Sequence, residues 1–474
     1  MTTARQGLPV ELPEASLADL RRQLDGEIVL PSDPAYDAGR RPWNAMVDKR
    51  PAIILRPRGT ADIVTGIRFA RANALEIAVR GGGHAASGLS ATEGGLLLDL
   101  SLMRAVRIDL HARRAWVQGG CLLRDLDREA QLHGLATTGG VVSHTGVGGL
   151  TLGGGYGYLA RRFGLACDNI RAAELVTADG EVLAVSEEHH PEILWGLRGG
   201  GGNLGVVSAF EFELHPFGPD MLTGDLAYPL ETGFAAIRRL LDLAADAPDA
   251  FMASAAVVTA RPMPILPESI HGRPMVWVSY TWAGEVEAGR RFLPELKRAG
   301  EPLFEDLDVL PYVRLQRLGD ESQRHGRRQY ARSHFIRSTP DAFVEAFLDR
   351  AGAAPGVAPS GSITQLGGAI ARVAAADSAF SGRDALYDFV VTATWDDPSE
   401  DADRMAAARA YAGAIEPHST GRSYVNAIED DRTAGVQAAF GGEVYERLVQ
   451  LKDRHDPDNV FHLNQNVRPS AASQ

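Results

Sequence analysis

The sequence predicts an α+β fold of two domains, and three observations predict it. Its 474 residues, 45% hydrophobic and 23% charged, are enough for more than one ordinary core in a globular composition. Over residues 46–216 short strands and amphipathic helices follow one another without the regular strand–helix–strand repeat of a doubly wound sheet. Near residues 216–220 the texture changes, and the strands and helices that follow are longer.

Taken in order, residues 1–45 read as a mostly helical, polar segment with Leu17, Leu20 and Leu24 at helical spacing. A first domain is expected over 46–216. Residues 53–55 form a strand, and Thr60 caps a helix whose Ile63, Val64, Ile67 and Ala70 share one face. The strand at 77–79 runs into a glycine cluster, strands follow at 96–100 and 115–118, and 122–133 is an amphipathic helix. Asp179-Gly180 turns a hairpin between 174–177 and 181–185, and 206–214 alternates to the end of the region. Residues 217–425 form the second domain, an antiparallel sheet (275–282, 386–395) backed by helices (234–245, 341–351). The last segment, 426–474, carries a helix and a turn at Asp456-Pro457, and is expected to return to the first domain.

The net charge of −13 excludes nucleic-acid phosphate or an anionic membrane surface as the main partner. No apolar run approaches the ~20 residues of a membrane span, and the N-terminus lacks a signal core. Two cysteines, Cys121 and Cys167, give no zinc framework. The expectation is a cytoplasmic enzyme, a monomer or homodimer without a metal, acting on a small molecule.

Glycine occurs 51 times, against an average near 7%, and gathers at 81–83, 139–157, 199–205 and 367–368 between apolar residues. Glycine turns let backbone N–H groups converge on phosphate oxygens, so several clusters in one domain suit an elongated anionic ligand such as a dinucleotide. Glycines that only permit tight turns are the alternative. The P-loop pattern is absent. Gly155-x-Gly157-x-x-Ala160, with Glu174 downstream, matches the dinucleotide fingerprint but closes a glycine stretch instead of opening a strand–helix unit. His84 is presented directly after three glycines, which favours a ligand contact; a simply solvated loop histidine is the alternative.

Several ordered motifs carry a resemblance. They are Arg80-Gly-Gly-Gly-His84, Gly119-Gly120, Gly148-Gly-Leu-Thr-Leu-Gly-Gly-Gly-Tyr-Gly157, Phe163-Gly-Leu-Ala-Cys-Asp-Asn169 and Leu194-Trp-Gly-Leu-Arg-Gly-Gly-Gly-Gly-Asn-Leu-Gly205. Near the C-terminus stand Tyr424-Val-Asn426, Asp456-Pro-Asp-Asn-Val-Phe461 and Leu463-Asn-Gln-Asn466. Over residues 35–470 the chain resembles the FAD-linked oxidases of the vanillyl-alcohol oxidase superfamily, in the berberine-bridge-enzyme-like branch. Within it, residues 141–149 resemble most the polyketide-tailoring flavoenzyme of enterocin biosynthesis, and next 6-hydroxynicotine oxidase.

The resemblance implies a two-domain FAD-binding fold of the PCMH type and an oxidase that removes hydride from a C–H bond next to oxygen or nitrogen of a secondary-metabolite substrate. Molecular oxygen would take the electrons. An oxygenating tailoring enzyme and a non-catalytic flavin-binding protein are the alternatives. It implies FAD bonded covalently to His84. Val142 stands where many members carry a second, cysteine linkage, so a single tether is expected, with Cys121 and Cys167 as packing residues. Leu150 replaces a histidine that contacts the flavin in plant members, and Thr145 with Gly146 leaves room for oxygen. The first glycine loop (Arg80, Gly81, Gly82, Gly83, Gly88) would hold cofactor, as would Gly119, Gly139, Gly149, Gly153, Gly155, Asn169 and Val207. Asn426 and Asn464 would complete its binding.

Tyr424 is expected as the base, also touching the flavin, with Asn426 beside it on one strand face; a buried structural hydroxyl is the alternative. A phenol near pKa 10 needs a neighbouring cation to work at neutral pH. Arg372 would be that cation or a substrate-binding group, or else part of a structural ion pair. Tyr156 is a second candidate near the flavin.

Overall fold

The computed structural model describes residues 12–260, 262, 266–354, 356–428 and 433–473. Residues 1–11 of the expected N-terminal segment lie outside it. Helix Glu14–Gln23 matches the Leu17 and Leu20 spacing, but the segment also contributes a strand, Glu27–Val29. That strand pairs antiparallel with Ile53–Arg56 at one edge of a four-stranded sheet. Ile53–Arg56 and Ile77–Arg80 each pair in parallel with Leu96–Asp99. All four residues of Leu96–Asp99 are buried, as a central parallel strand requires.

Helix Thr60–Ala72 covers this sheet with Ile63, Ile67 and Ala70. Thr60 is not its cap. Gly59 holds the N-cap position with no side-chain bond, and the Thr60 hydroxyl is spent on Glu174. A second, five-stranded antiparallel sheet contains the expected hairpin, Ile170–Val176 against Val182–Ser186. Val206–Glu213 lies at its centre, between Arg114–Gln118 and Ile170–Val176.

A seven-stranded antiparallel sheet follows, with Pro274–Trp282 and Tyr387–Trp395 inside it. Helices Leu230–Ala245, Asp341–Asp349 and Asp401–Ile415 bury apolar faces on it around Phe343, Phe347 and Phe389. The architecture is thus a two-domain α+β fold of the PCMH type. From the C-terminal segment, Phe461 enters the core of the four-stranded sheet. The Lys452 ammonium, fully buried, donates to Asp456 and to the carbonyls of Asn203 and Phe461. Among the described residues no helix is long and apolar enough to cross a membrane.

Candidate active site

One cleft brings together the glycine loops of the first sheet, the turn at Tyr424 and the C-terminal segment. Arg80 ends its strand buried, pairing with Asp99 of the neighbouring strand at 2.9 Å and donating to the Gly39 carbonyl. It anchors the loop and does not line the cleft. The next residues turn because Gly83 takes φ +71°, a region that penalises a side chain. A Cβ on Gly82 would lie 2.2 Å from the Gly146 nitrogen, and one on Gly146 equally close to the Gly82 nitrogen. Only a pair of glycines lets the two loops meet.

Gly81, Gly82, Gly83, His84, Gly119, Thr145, Gly146 and Gly149 line this cleft. So do Leu150, Val207, Tyr424, Asn426 and Asn464. Gly88, Gly139, Val142, Gly153, Gly155 and Asn169 do not. Gly88 turns at φ +75° against Val47. Gly139 packs beside Leu123, and Gly153 leaves the space filled by the Asn426 amide. Val142 approaches Gly319, and Asn169 is spent on the Phe163 and Leu165 carbonyls and on His215. Cys121 and Cys167 are buried free thiols, both pushed up in pKa by burial, Cys121 to about 12.

At one end of the cleft His84 stacks on Trp43, with ring centroids 4.9 Å apart and planes 20° apart. Its Nε2 is 2.7 Å from Nδ1 of His144, and the exposed His325 ring closes the group 5.2 Å from His144. Burial, then the neighbouring His144 and His325, pushes the His84 pKa down to about 3, so its imidazole is neutral at working pH.

At the other end Tyr424 lines the cleft, and Tyr156, which is outside the lining, packs against it with ring centroids 4.9 Å apart. Tyr424 and Asn426 do not share a strand face. Residues Val425–Ala427 form a 3₁₀ turn, and the Asn426 amide donates to the Tyr424 hydroxyl oxygen at 2.9 Å. The Gly155 N–H donates to the same oxygen at 3.1 Å. Those bonds favour phenolate, but burial outweighs them and the Tyr424 pKa is raised.

Arg372 is not the cation that would lower it. It lies on the surface, its side chain 61% exposed and paired with Asp249 at 2.5 Å. Instead Tyr156 donates to Asp388, a wholly buried carboxyl that also accepts the Ser333 hydroxyl at 2.5 Å. The Tyr424 N–H in turn donates to Ser333 Oγ at 3.1 Å. Burial pushes the Asp388 pKa up to about 7, against the pull of the Ser333 and Tyr156 hydrogen bonds, and holds the Tyr156 phenol well above its usual value.

Asp388, His144, His325 and Trp43 are absent from the sequence-based site. Asp388 had a legible signal, a lone carboxylate within the apolar strand Tyr387–Trp395. The others had none, because nothing local ties them to His84.

The cleft also tests whether a flavin dinucleotide fits. Ser90 Oγ and Asn464 Oδ1, both buried and both at its wall, have no hydrogen-bond partner among the described residues. Together with the bare glycine backbone they suit a ligand rich in hydrogen-bonding groups, and the residues fit FAD.

Comparison with known proteins agrees. The FAD binding domain family matches residues 51–186, and the berberine and berberine-like family matches 423–468. An FAD-linked oxidoreductase of Dictyostelium discoideum is 32% identical over 434 residues, covering 90% of this chain and 91% of that protein. The (R)-6-hydroxynicotine oxidase of Paenarthrobacter nicotinovorans is 30% identical over 476 residues, covering 95% and 98%. The solved 6-hydroxy-D-nicotine oxidase of Arthrobacter nicotinovorans superposes with a TM-score of 0.83 at 29% identity, over 94% of this chain and 98% of that one. Glucooligosaccharide oxidase of Acremonium strictum, described with a 6-S-cysteinyl, 8α-N1-histidyl FAD, shares the fold (TM-score 0.85, 23% identity, 96% and 99% covered). With the motifs, the cradle and these relatives in agreement, the chain belongs to the FAD-linked oxidoreductases of the berberine-bridge-like branch.

Proposed function

We propose that this oxidoreductase holds FAD through one covalent bond to His84 and oxidises a C–H bond next to an oxygen or nitrogen of a small substrate, passing the electrons to O2. The observation that carries the reaction is the buried pair Tyr156–Asp388 beside Tyr424. Bound FAD supplies a hydride acceptor, and the chain must then remove the proton of the oxidised O–H or N–H. Tyr424, with its oxygen already accepting two N–H donors, is set to donate its own hydroxyl hydrogen to a ligand. Tyr156 can accept the substrate proton while handing its own to Asp388, whose pKa near 7 suits both taking and releasing it. In this reading Tyr424 positions the substrate and the base function passes to the Tyr156–Asp388 pair.

The single tether is supported by Val142 at the position of the second linkage and by a buried thiol at Cys167. Thr145 lines the cleft at the position the resemblance links to oxygen access, whereas the bare side of Gly146 is closed by the Gly82 backbone and adds no space. Substrates of the secondary-metabolite kind fit the resemblance, and the relative named as a 6-hydroxynicotine oxidase supports a small nitrogen-containing substrate. An oxygenating reaction is favoured by one partial match, an FAD-dependent monooxygenase of Fusarium proliferatum 36% identical over 196 residues.

The deciding experiment is anaerobic reduction of the bound flavin by a panel of alcohols, amines and sugars, followed by air. Bleaching by one class, with one H2O2 per substrate, is the expected result. No bleaching by any class overturns the oxidase reading. Consumption of O2 without H2O2 moves it to the oxygenating one.

A further inference from the structure

A second groove, sharing no lining residue with the first cleft, opens between helix Leu123–Gln131 and the short helix Tyr312–Leu315. We propose that it binds a small phosphate ester carrying hydroxyl groups, with the phosphate on arginines at the rim and the hydroxyls on an amide oxygen and a carboxyl at the floor. The proposal stands independently of what the enzyme oxidises.

The rim follows from helix periodicity. Arg124 and Arg128 stand four residues apart on helix Leu123–Gln131 and so share a face. Beyond Leu315 the chain makes one further turn, the Arg317 N–H donating to the Arg314 carbonyl at 3.1 Å, which brings those two residues to one side. All four line the groove and are exposed. Arg124 and Arg314 have no carboxylate partner among the described residues. Arg317 reaches only the Asp320 carboxylate, at 3.8 Å, and Ser143 already holds that group with its N–H and hydroxyl. Arg128 pairs with Glu129 at the surface. The neighbouring Asp125 is spent on Arg104, at 2.8 and 2.5 Å, and on the Leu122 N–H. A chain of net charge −13 thus gathers guanidiniums over one groove, and their planar forks match phosphate oxygens.

The floor has a different chemistry. Gln316 is 1% exposed and lines the groove, and its Nε2 donates to Asp127 Oδ2 at 3.0 Å. Its Oε1 is buried with no hydrogen-bond partner among the described residues. Such an oxygen is costly to leave unpaired and calls for a donor. A bare inorganic anion offers mainly acceptors, so it would serve the rim and leave the floor unmet. Asp127 is buried beside the amide, and burial pushes its pKa up to about 7, so it can accept a hydroxyl without a fixed charge opposing the phosphate. An amide oxygen next to a carboxyl is an acceptor pair suited to a polyol. Val313 and Leu318 add apolar wall for its carbon chain, and the cavity of about 860 Å³ has room for a small ligand.

The test is isothermal titration of the FAD-loaded protein with glucose 6-phosphate, ribose 5-phosphate and glycerol 3-phosphate, beside glucose and inorganic phosphate. At least one ester should bind a single site per chain at least about 10-fold tighter than inorganic phosphate, and glucose should give no binding heat. The double variant Arg314→Ala, Arg317→Ala should weaken that ester at least about 10-fold while the flavin-to-protein absorbance ratio stays unchanged. Gln316→Met keeps the side-chain volume and removes the acceptor, so it should bring the ester down to the affinity of inorganic phosphate, which itself should hold. Should Gln316→Met fail to fold, the exposed arginine pair still decides the site. No saturable binding of any ester by about 10 mM overturns the proposal. Equal affinity for ester and inorganic phosphate overturns the floor assignment and leaves only a patch for counter-ions. Wild-type ester affinity in the arginine double variant, or undiminished preference for the ester in folded Gln316→Met, also overturns it.

Discussion

The two ends of the cleft are opposites in charge chemistry. At the His84 end three imidazoles gather with no carboxylate in the ring group, and burial keeps His84 neutral by pushing its pKa down to about 3. At the Tyr424 end a carboxyl is buried among hydroxyls with no cation in contact, and burial keeps it near neutrality by pushing its pKa up to about 7. Desolvation acts on both and favours the uncharged form in each, so one end is poised to shed a proton and the other to take one. The lesson is that the polarity of this site comes from which titratable group is buried where, with no ion pair setting it.

The contrast fixes opposite pH slopes. Before any linkage forms, an unfolded chain takes a proton on His84 near pH 6.5 while the folded one does not until about 3, so this group lowers stability as pH falls between those values. Asp388 works the other way. The folded chain keeps its proton up to about pH 7 while the unfolded chain releases it near 3.9, so stability falls as pH rises across that window.

The largest effect expected is on chemistry at the Tyr424 end. Tyr156→Phe and Asp388→Asn should each slow anaerobic flavin reduction by about 10²–10⁴-fold, and Asp388→Asn should remove the limb near pH 7 from the rate profile. Unchanged reduction in both would break the comparison, leaving the carboxyl as packing. Next, Gly82→Ala should fail to retain flavin, read as the flavin-to-protein absorbance ratio, because its Cβ meets the Gly146 backbone and neither loop can yield alone. Tyr424→Phe should slow reduction by about 10²-fold if its hydroxyl holds the substrate, with KM rising more than kcat falls. Asp388→Asn should also gain stability over wild type as pH rises from 4 to 7, up to about 4 kcal/mol by linkage, seen as a widening gap in denaturant midpoints. A gap constant with pH would show that the carboxyl does not titrate there. The smallest effect is at Arg372, where Ala should change rate less than twofold, since its exposed pair with Asp249 lies away from the cleft.

The glycine cradle was legible because a left-handed φ or a close backbone approach demands a residue type, and Gly82, Gly83 and Gly146 announce it in the chain itself. His84 was legible through its place after that cradle. Ser333 and His325 were not, because they reach the site from strands and loops paired only in three dimensions, and the lone carboxylate of Asp388 in an apolar strand marked a buried acid without saying what it faces. Arg372 misled for a physical reason: a charged residue at the end of a short helix can be aimed by a partner on another loop, here Asp249. Tyr424 and Asn426 come together as expected, but by a 3₁₀ turn, since two residues of alternation read alike in a strand and in a tight turn.

The buried ammonium of Lys452 has a consequence for motion. It joins the loop carbonyl of Asn203, the Asp456 carboxylate and the carbonyl of Phe461 at a single atom on a side chain with no exposed surface. The outer wall of the cleft should therefore detach as a clasp does, all at once. Amide exchange at Phe461, Val467 and their neighbours would then share one opening rate.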